Sequence, residues 1–283
     1  MEHGMVMDQS NRLVQIVITE ASRLQKFLSH LDAQVWEGNS TSEGWTNEDV
    51  VEHLAGNIDN WTRNITRAVG GNATPPEGQA FLPPRERASH PSGAVARKSR
   101  RQSGSQLLDA FSAGHKRFRN VLETLTDNDW DKPCFHRRGV VTVREFVGLQ
   151  VQELALHGWD IRCGLDRTAE LYDMSLPVLI DLVPRWIDTA FMANPDLLTP
   201  VTYRFDVSGP VDVQQDLVIN SGDYVMLPYN TNSPDVNFRC ETGNYVLMMY
   251  GRLEIERAVM DGRLSIEGSM ELAKNFNTWF KGF

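Results

Sequence analysis

The chain has little of what staples or anchors a protein. Its 283 residues contain three cysteines, Cys134, Cys163 and Cys240, widely separated and with no C-x-x-C spacing. An odd, sparse set excludes a disulfide framework and suits a reducing compartment. Long apolar runs are missing as well, since none approaches the ~18–20 residues of a membrane span. The opening MEHGMVMDQSNR has neither the basic nor the apolar region of a secretory signal. The expectation is a soluble, cytoplasmic protein. Positive charge is also short: 28 Lys and Arg against 37 Asp and Glu leave a net charge of −9. That argues against a nucleic-acid partner, whose phosphates call for clustered Lys and Arg. The one basic run is Arg97-Lys98-Ser99-Arg100-Arg101. The expected partners are therefore small molecules, with neither nucleic acid nor membrane, and the expected state is a monomer or homodimer.

What is present is globular: 41% hydrophobic and 23% charged residues. A chain of this length buries enough surface to fold without a metal staple, so a metal here would serve chemistry. The first half reads as helices. Leu13, Ile16, Val17, Ala21, Leu24, Leu28 and Leu31 recur by threes and fours, as do Val50, Leu54, Ile58, Trp61 and Ile65 behind a Thr46–Asp49 capping pair. Helices are also predicted near 105–125 and 142–164. Between the second and third, Pro75, Pro76, Pro83, Pro84 and Pro91 with Gly78 and Gly93 mark an irregular segment of about 70–104, long for a loop. A further helix near 175–193 contains Pro184, which should kink or break it. After it, Val201–Val207 and Asp216–Ile219 alternate with period two around a Ser221-Gly222-Asp223 turn. Residues 243–260 look helical, Gly262–Gly268 holds a short strand, and 269–281 reads as a closing helix.

The strongest chemical signal is Gln150-Val-Gln-Glu153-Leu-Ala-Leu-His157-Gly-Trp-Asp160. Glu153 and His157 stand four apart on one helix face, and with Gln150 and Asp160 they form a polar line inside an apolar sector. Arg144, Gln152 and Arg162 fall on the opposite face, which reads as solvated. Burying a carboxylate and an imidazole is costly unless both find partners. The pair is thus either a structural Glu–His hydrogen bond or two ligands of a divalent metal. His53 is the candidate third ligand, although the wheel puts it outside the apolar stripe of its helix. His115 is mid-helix without a carboxylate at that spacing.

At these residues the sequence resembles a known family. G-W-T-x-x-D-V-V-x-H-L-A-G-N, followed by V-x-V-R-E-F and Q-E-L-A-L-H-G-W-D, is similar to the mycothiol-dependent maleylpyruvate isomerase group of the DinB-like superfamily. The resemblance covers about residues 10–165. The tail, with G-R-L and then D-G-R-L-S-I-E-G-S-M-E-L-A-K-N-F, resembles the sterol-carrier-like domain that often follows such bundles. The implied fold class is α then α+β. A DinB-like metal-binding four-helix bundle spans residues 1–168, with a smaller sterol-carrier-like α+β domain over 169–283. The resemblance implies His53, Glu153 and His157 as ligands of a divalent metal, usually Zn²⁺, with a fourth position open for a thiol, mycothiol, that attacks a small electrophile. It implies Arg252 as a catalytic residue pairing with a substrate carboxylate, against the alternative of a surface arginine beside Gly251. Asp160 could orient His157. No cysteine matches a catalytic motif, so the sulfur would be a cosubstrate's.

Two features depart from the family. The 70–104 segment is longer and richer in Pro and Arg than expected, which favours a transferase on a larger substrate over the isomerase. A second substrate arginine has only Arg85 and Arg87 as candidates. The rival function is a non-catalytic binder that holds a small apolar ligand in the C-terminal domain, with the His–Glu pair structural.

Overall fold

The computed structural model describes residues 2–82, 104–194 and 197–280, with side chains described from residue 9. Most of the expected 70–104 segment, including Arg85, Arg87 and the basic run at 97–101, lies outside the described residues. The chain divides into two compact units, Met1–Leu171 and Tyr172–Phe283.

The first unit is built on α1 (Glu2–Leu28), α3 (Asn47–Val69), α4 (Ser105–Leu122) and α5 (Val143–Leu165), with a short α2 (Ala33–Glu37) ahead of α3. Reciprocal capping boxes start two of them. Asp49 N donates to Thr46 Oγ1 and Thr46 N to Asp49 Oδ2 at α3, and Thr142 with Glu145 repeats the arrangement at α5. A hairpin of β1 (Pro133–His136) and β2 (Gly139–Thr142) leads into α5.

Helix directions follow from paired contacts. Gly104 N, just before α4, donates to Glu48 Oε1, and Arg117 pairs with Asp59 at 2.7 Å, so α3 and α4 run parallel. Arg144 donates to Ser10, and Gly158 lies beside Leu24, so α1 and α5 are also parallel. The Trp61 and Phe146 rings at 4.3 Å and His53 with Glu153 at 2.9 Å make α3 and α5 antiparallel. A connection between parallel helices must return the whole length of the first, ~35 Å for the 23 residues of α3. The segment after α3 therefore has to cover at least that distance, which about eleven extended residues would span.

Gly114 on α4 shows how closely the parallel pair packs. A Cβ there would sit well inside van der Waals contact of the fully buried, β-branched Ile58. An ordinary helical Gly→Ala gains about 1 kcal/mol, but here overpacking should win. Gly114→Ala is expected to lose about 1–3 kcal/mol in urea unfolding. The loss should shrink in an Ile58→Ala background.

Next to it in the sequence, His115 is 8% exposed, packed against Phe111, with no hydrogen-bond partner for either ring nitrogen among the described residues. Burial pushes its pKa down from 6.5 to about 4. The folded state thus favours the neutral ring, while the unfolded chain takes up a proton near the ordinary value. Its contribution is complete above about pH 6.5 and is lost as the pH falls toward 4, up to ~3 kcal/mol in all. Urea titrations from pH 7.5 to 4.5 should show that loss, and His115→Leu should remove this part of the slope.

The second unit opens with α6 (Leu176–Asp181) and α7 (Val183–Ala190), separated at Leu182. The single helix expected here is thus two, with Pro184 tolerated in the first turn of the second. A five-stranded sheet comes next, formed by β3 (Val201–Ser208), β4 (Val213–Ile219), β5 (Tyr224–Pro228), β6 (Val236–Glu241) and β7 (Leu264–Gly268). Its order is β5-β4-β3-β6-β7, with β3 and β6 parallel and the other pairs antiparallel. The helix expected over 243–260 is likewise two, α8 (Thr242–Met249) and α9 (Ile255–Met260), parted where Gly251 takes φ +69°. α10 (Met270–Trp279) closes the unit.

One sheet face is an aromatic core. Tyr203, Phe205 and Phe238 stack along the sheet and meet Tyr245 of α8 and Phe276 of α10, all fully buried. The other face carries a buried charge pair, Arg204 on β3 opposite Asp216 on β4. Arg204 Nε and Nη2 donate to the two carboxylate oxygens at 2.8 and 2.9 Å. Nη2 also donates to the carbonyls of Asn230 and Asn232, and the Asn230 amide donates to Asp216, so the pair ties down the loop after β5.

Candidate metal centre

The polar line on α5 meets α3. His53 Nε2 lies 2.9 Å from Glu153 Oε2, and His157 Nε2 lies 3.6 Å from the same oxygen. One ligand atom from each of the three residues lies within 4.8 Å of the other two. The His53 and His157 rings meet edge to face at 5.0 Å. All three side chains are half-buried, 17%, 27% and 19% exposed for His53, Glu153 and His157, so each keeps some contact with solvent.

His157 is held from behind. Its Nδ1–H donates to Asp160 Oδ2 at 3.1 Å, leaving Nε2 as the lone-pair nitrogen turned toward Glu153. Asp160 is 1% exposed, and its remaining acceptor capacity is used by the segment before α3. Ser42 Oγ donates to Oδ2 at 3.0 Å, Thr41 Oγ1 to Oδ1 at 3.2 Å, and Thr41 N to the Asp160 carbonyl. That segment also brings the Trp45 ring edge-on to His53, 5.5 Å between centroids. On the other side of His53, the Asn57 amide nitrogen lies 3.3 Å from each ring nitrogen.

Asp160 is thus buried beside His157, as the sequence allowed. Gln152, read as lying on a solvated face, is 9% exposed. Helix α5 packs against α1 and α3 and adjoins the hairpin, which leaves it little surface. Arg252 belongs to the second unit, just past Gly251. Its backbone N donates to the Leu247 carbonyl and its Nη1 to the Tyr250 carbonyl at 3.2 Å. Sequence reasoning missed Thr41, Ser42, Trp45 and Asn57. Asn57 had a signal, one turn after His53 in the same motif; Thr41 and Ser42 reach Asp160 across 118 or 119 positions of sequence.

The donor chemistry suits a divalent ion. Two imidazoles and a carboxylate are ordinary ligands for Zn²⁺, and three protein ligands with solvent access leave a position open.

A helical bundle of two parallel helix pairs carrying a His–Glu–His cluster, followed by an α+β unit on a five-stranded sheet, defines the class of protein. Residues 17–162 match the mycothiol maleylpyruvate isomerase N-terminal domain, and residues 195–281 match the SCP-2 sterol transfer family. The chain belongs to the mycothiol maleylpyruvate isomerase N-terminal domain family, with a sterol-carrier-like domain after it. Among solved structures, the mycothiol-dependent maleylpyruvate isomerase aligns at 14% identity and TM-score 0.60, over 86% of this chain and 90% of that one. A histidine-to-alanine mutant of that enzyme aligns at 13% identity and TM-score 0.61, over 91% and 92%. At such identities the likeness is one of fold. No curated protein matches the chain in sequence. Among the described residues no helix is long and apolar enough to cross a membrane.

Proposed function

We propose that the chain is a thiol-dependent metalloenzyme, in which His53, Glu153 and His157 hold a divalent metal ion, Zn²⁺ in this reading. Mycothiol is the thiol, and a small electrophile is its target. The observation that carries the proposal is the convergence of the three ligating atoms at a half-buried place. A bound divalent ion would lower the pKa of a thiol and so supply thiolate at neutral pH.

The chain's own residues do the rest. Asp160 keeps the proton of His157 on Nδ1 and fixes the ring's rotation, while Ser42 and Thr41 fix Asp160. Trp45 and Asn57 flank His53 and hold its plane. In this reading residues 1–168 provide the metal chemistry, and 169–283 provide Arg252, whose planar guanidinium suits a substrate carboxylate.

Isomerase and transferase share thiol addition and differ in the fate of the adduct. The isomerase returns the thiol after rotation about the former double bond, whereas the transferase keeps it in the product. Maleylpyruvate and a panel of electrophiles, each assayed with and without mycothiol, test the reading. The expected result is turnover that requires mycothiol and disappears in His53→Ala. Thiol returned unconsumed marks an isomerase, and thiol consumed one for one marks a transferase. Turnover indifferent to thiol contradicts the proposal.

A further inference from the structure

The seam between α3 and α5 continues beyond the three ligating side chains. On α3, His53, Asn57 and Trp61 recur every fourth residue and share one face at intervals of ~6 Å. On α5, Phe146, Gln150, Glu153 and His157 follow the matching i, i+4, i+7, i+11 spacing. Two contacts pin the helices together, His53 with Glu153 at 2.9 Å and the Trp61 ring with Phe146 at 4.3 Å. The register between them places Asn57 opposite Gln150. Over ~12 Å the seam therefore passes from imidazole and carboxylate, through two amides, to two aromatic rings.

Gln150 is the telling residue. It is 2% exposed, its side-chain amide has no hydrogen-bond partner among the described residues, and its polar atoms are not among the side-chain atoms closed off from solvent. Water or a ligand entering the seam must therefore supply its partners. Asn57 and Trp61 are half-buried and so within reach of such a ligand. The amide and ring layers contain no charged side chain of either stripe. They suit an uncharged, hydrogen-bonding body and offer no countercharge to a carboxylate.

We propose that this seam binds the non-reacting body of the thiol cosubstrate. Gln150 and Asn57 hydrogen-bond its amide or hydroxyl groups, and Trp61, backed by the buried Phe146, presents an apolar face to a carbohydrate ring. The inference rests on the thiol reading above and adds the residues that would select a long, sugar-bearing thiol over a short one.

Calorimetry on the zinc-loaded full chain tests it with two probes: mycothiol, and N-acetylcysteine amide, which keeps the thiol and amide but lacks the sugar. Wild type should bind mycothiol at least about tenfold more tightly than the short probe. Gln150→Leu should weaken both by about tenfold, whereas Trp61→Ala should weaken mycothiol by about tenfold and the short probe by less than about threefold. Trp61→Phe, which keeps an aromatic face, should stay within about threefold of wild type. Zinc content and circular dichroism should match wild type in every variant. Variants that hold zinc and bind mycothiol as wild type does would overturn the seam assignment, as would equal wild-type affinity for the two probes. A wild-type chain that holds zinc and binds neither thiol would overturn the thiol reading itself, and the seam assignment with it.

Discussion

Glu153→Ala is expected to weaken metal binding on the order of 10²–10³-fold, because one ligand of a zinc site accounts for roughly 3–4 kcal/mol of its affinity. Thiol-dependent turnover should fall below detection. Glu153 supplies the only negative charge of the three, and one of its oxygens faces both imidazoles, at 2.9 and 3.6 Å. Competition with a chromophoric chelator measures the affinity directly. Glu153→Gln separates the two readings of the pair. As a plain helix-to-helix hydrogen bond, the amide would serve nearly as well and the protein would differ little from wild type. As a metal site, loss of the charge and of the anionic donor weakens binding almost as much as truncation. Unfolding of the metal-free protein, run alongside, should show Gln tolerated in stability, so that the loss is confined to the metal.

Asp216→Ala should be the most destabilising single change in the second unit. It strips the carboxylate from Arg204, which is 8% exposed and holds Asp216 through two hydrogen bonds at 2.8 and 2.9 Å. Breaking a buried pair by removing one partner typically costs about 3–5 kcal/mol, because the other charge is left uncompensated. The same substitution frees the Asn230 amide and loosens the loop that Arg204 holds through two carbonyls. Arg204→Met combined with Asp216→Leu removes both charges and should recover most of the loss. Urea denaturation followed by circular dichroism reads all three proteins. A single-variant loss below about 1 kcal/mol would mean that water reaches the pair and screens it.

Most of the site lay open in the sequence, since its key spacing is local. Glu153 and His157 are four residues apart on a periodic helix, and Thr46 with Asp49 announces the start of the helix that carries His53. His53 was the candidate third ligand from a second helix, but its wheel position outside the apolar stripe pointed the other way, and it was the resemblance that implied it as a ligand. The burial of Asp160 depends on Ser42 and Thr41, a contact no local pattern encodes. The fold was legible to the same extent. Helix periods gave the four long helices. Their parallel pairing did not follow, because it is set by tertiary contacts such as Arg117 with Asp59 and the Gly114–Ile58 approach. Strand β6 did carry a signal, Val236, Phe238 and Cys240 alternating with Asn237, Arg239 and Glu241, but six residues that run straight into a helix are easily passed over. The four-residue strands of the β1–β2 hairpin are shorter still. The breaks at Leu182 and Gly251 turned two expected helices into four, one beside a proline and one at a glycine of positive φ.

The central claim is that His53, Glu153 and His157 form a metal site, and elemental analysis of the purified protein tests it most directly. The account predicts about one zinc, or an equivalent divalent ion, per chain, lost in His53→Ala and in Glu153→Ala while both variants remain folded. A wild-type protein that carries no metal, takes none up from added zinc and is unchanged by either substitution would contradict it, and would leave the three side chains a hydrogen-bonded link between α3 and α5.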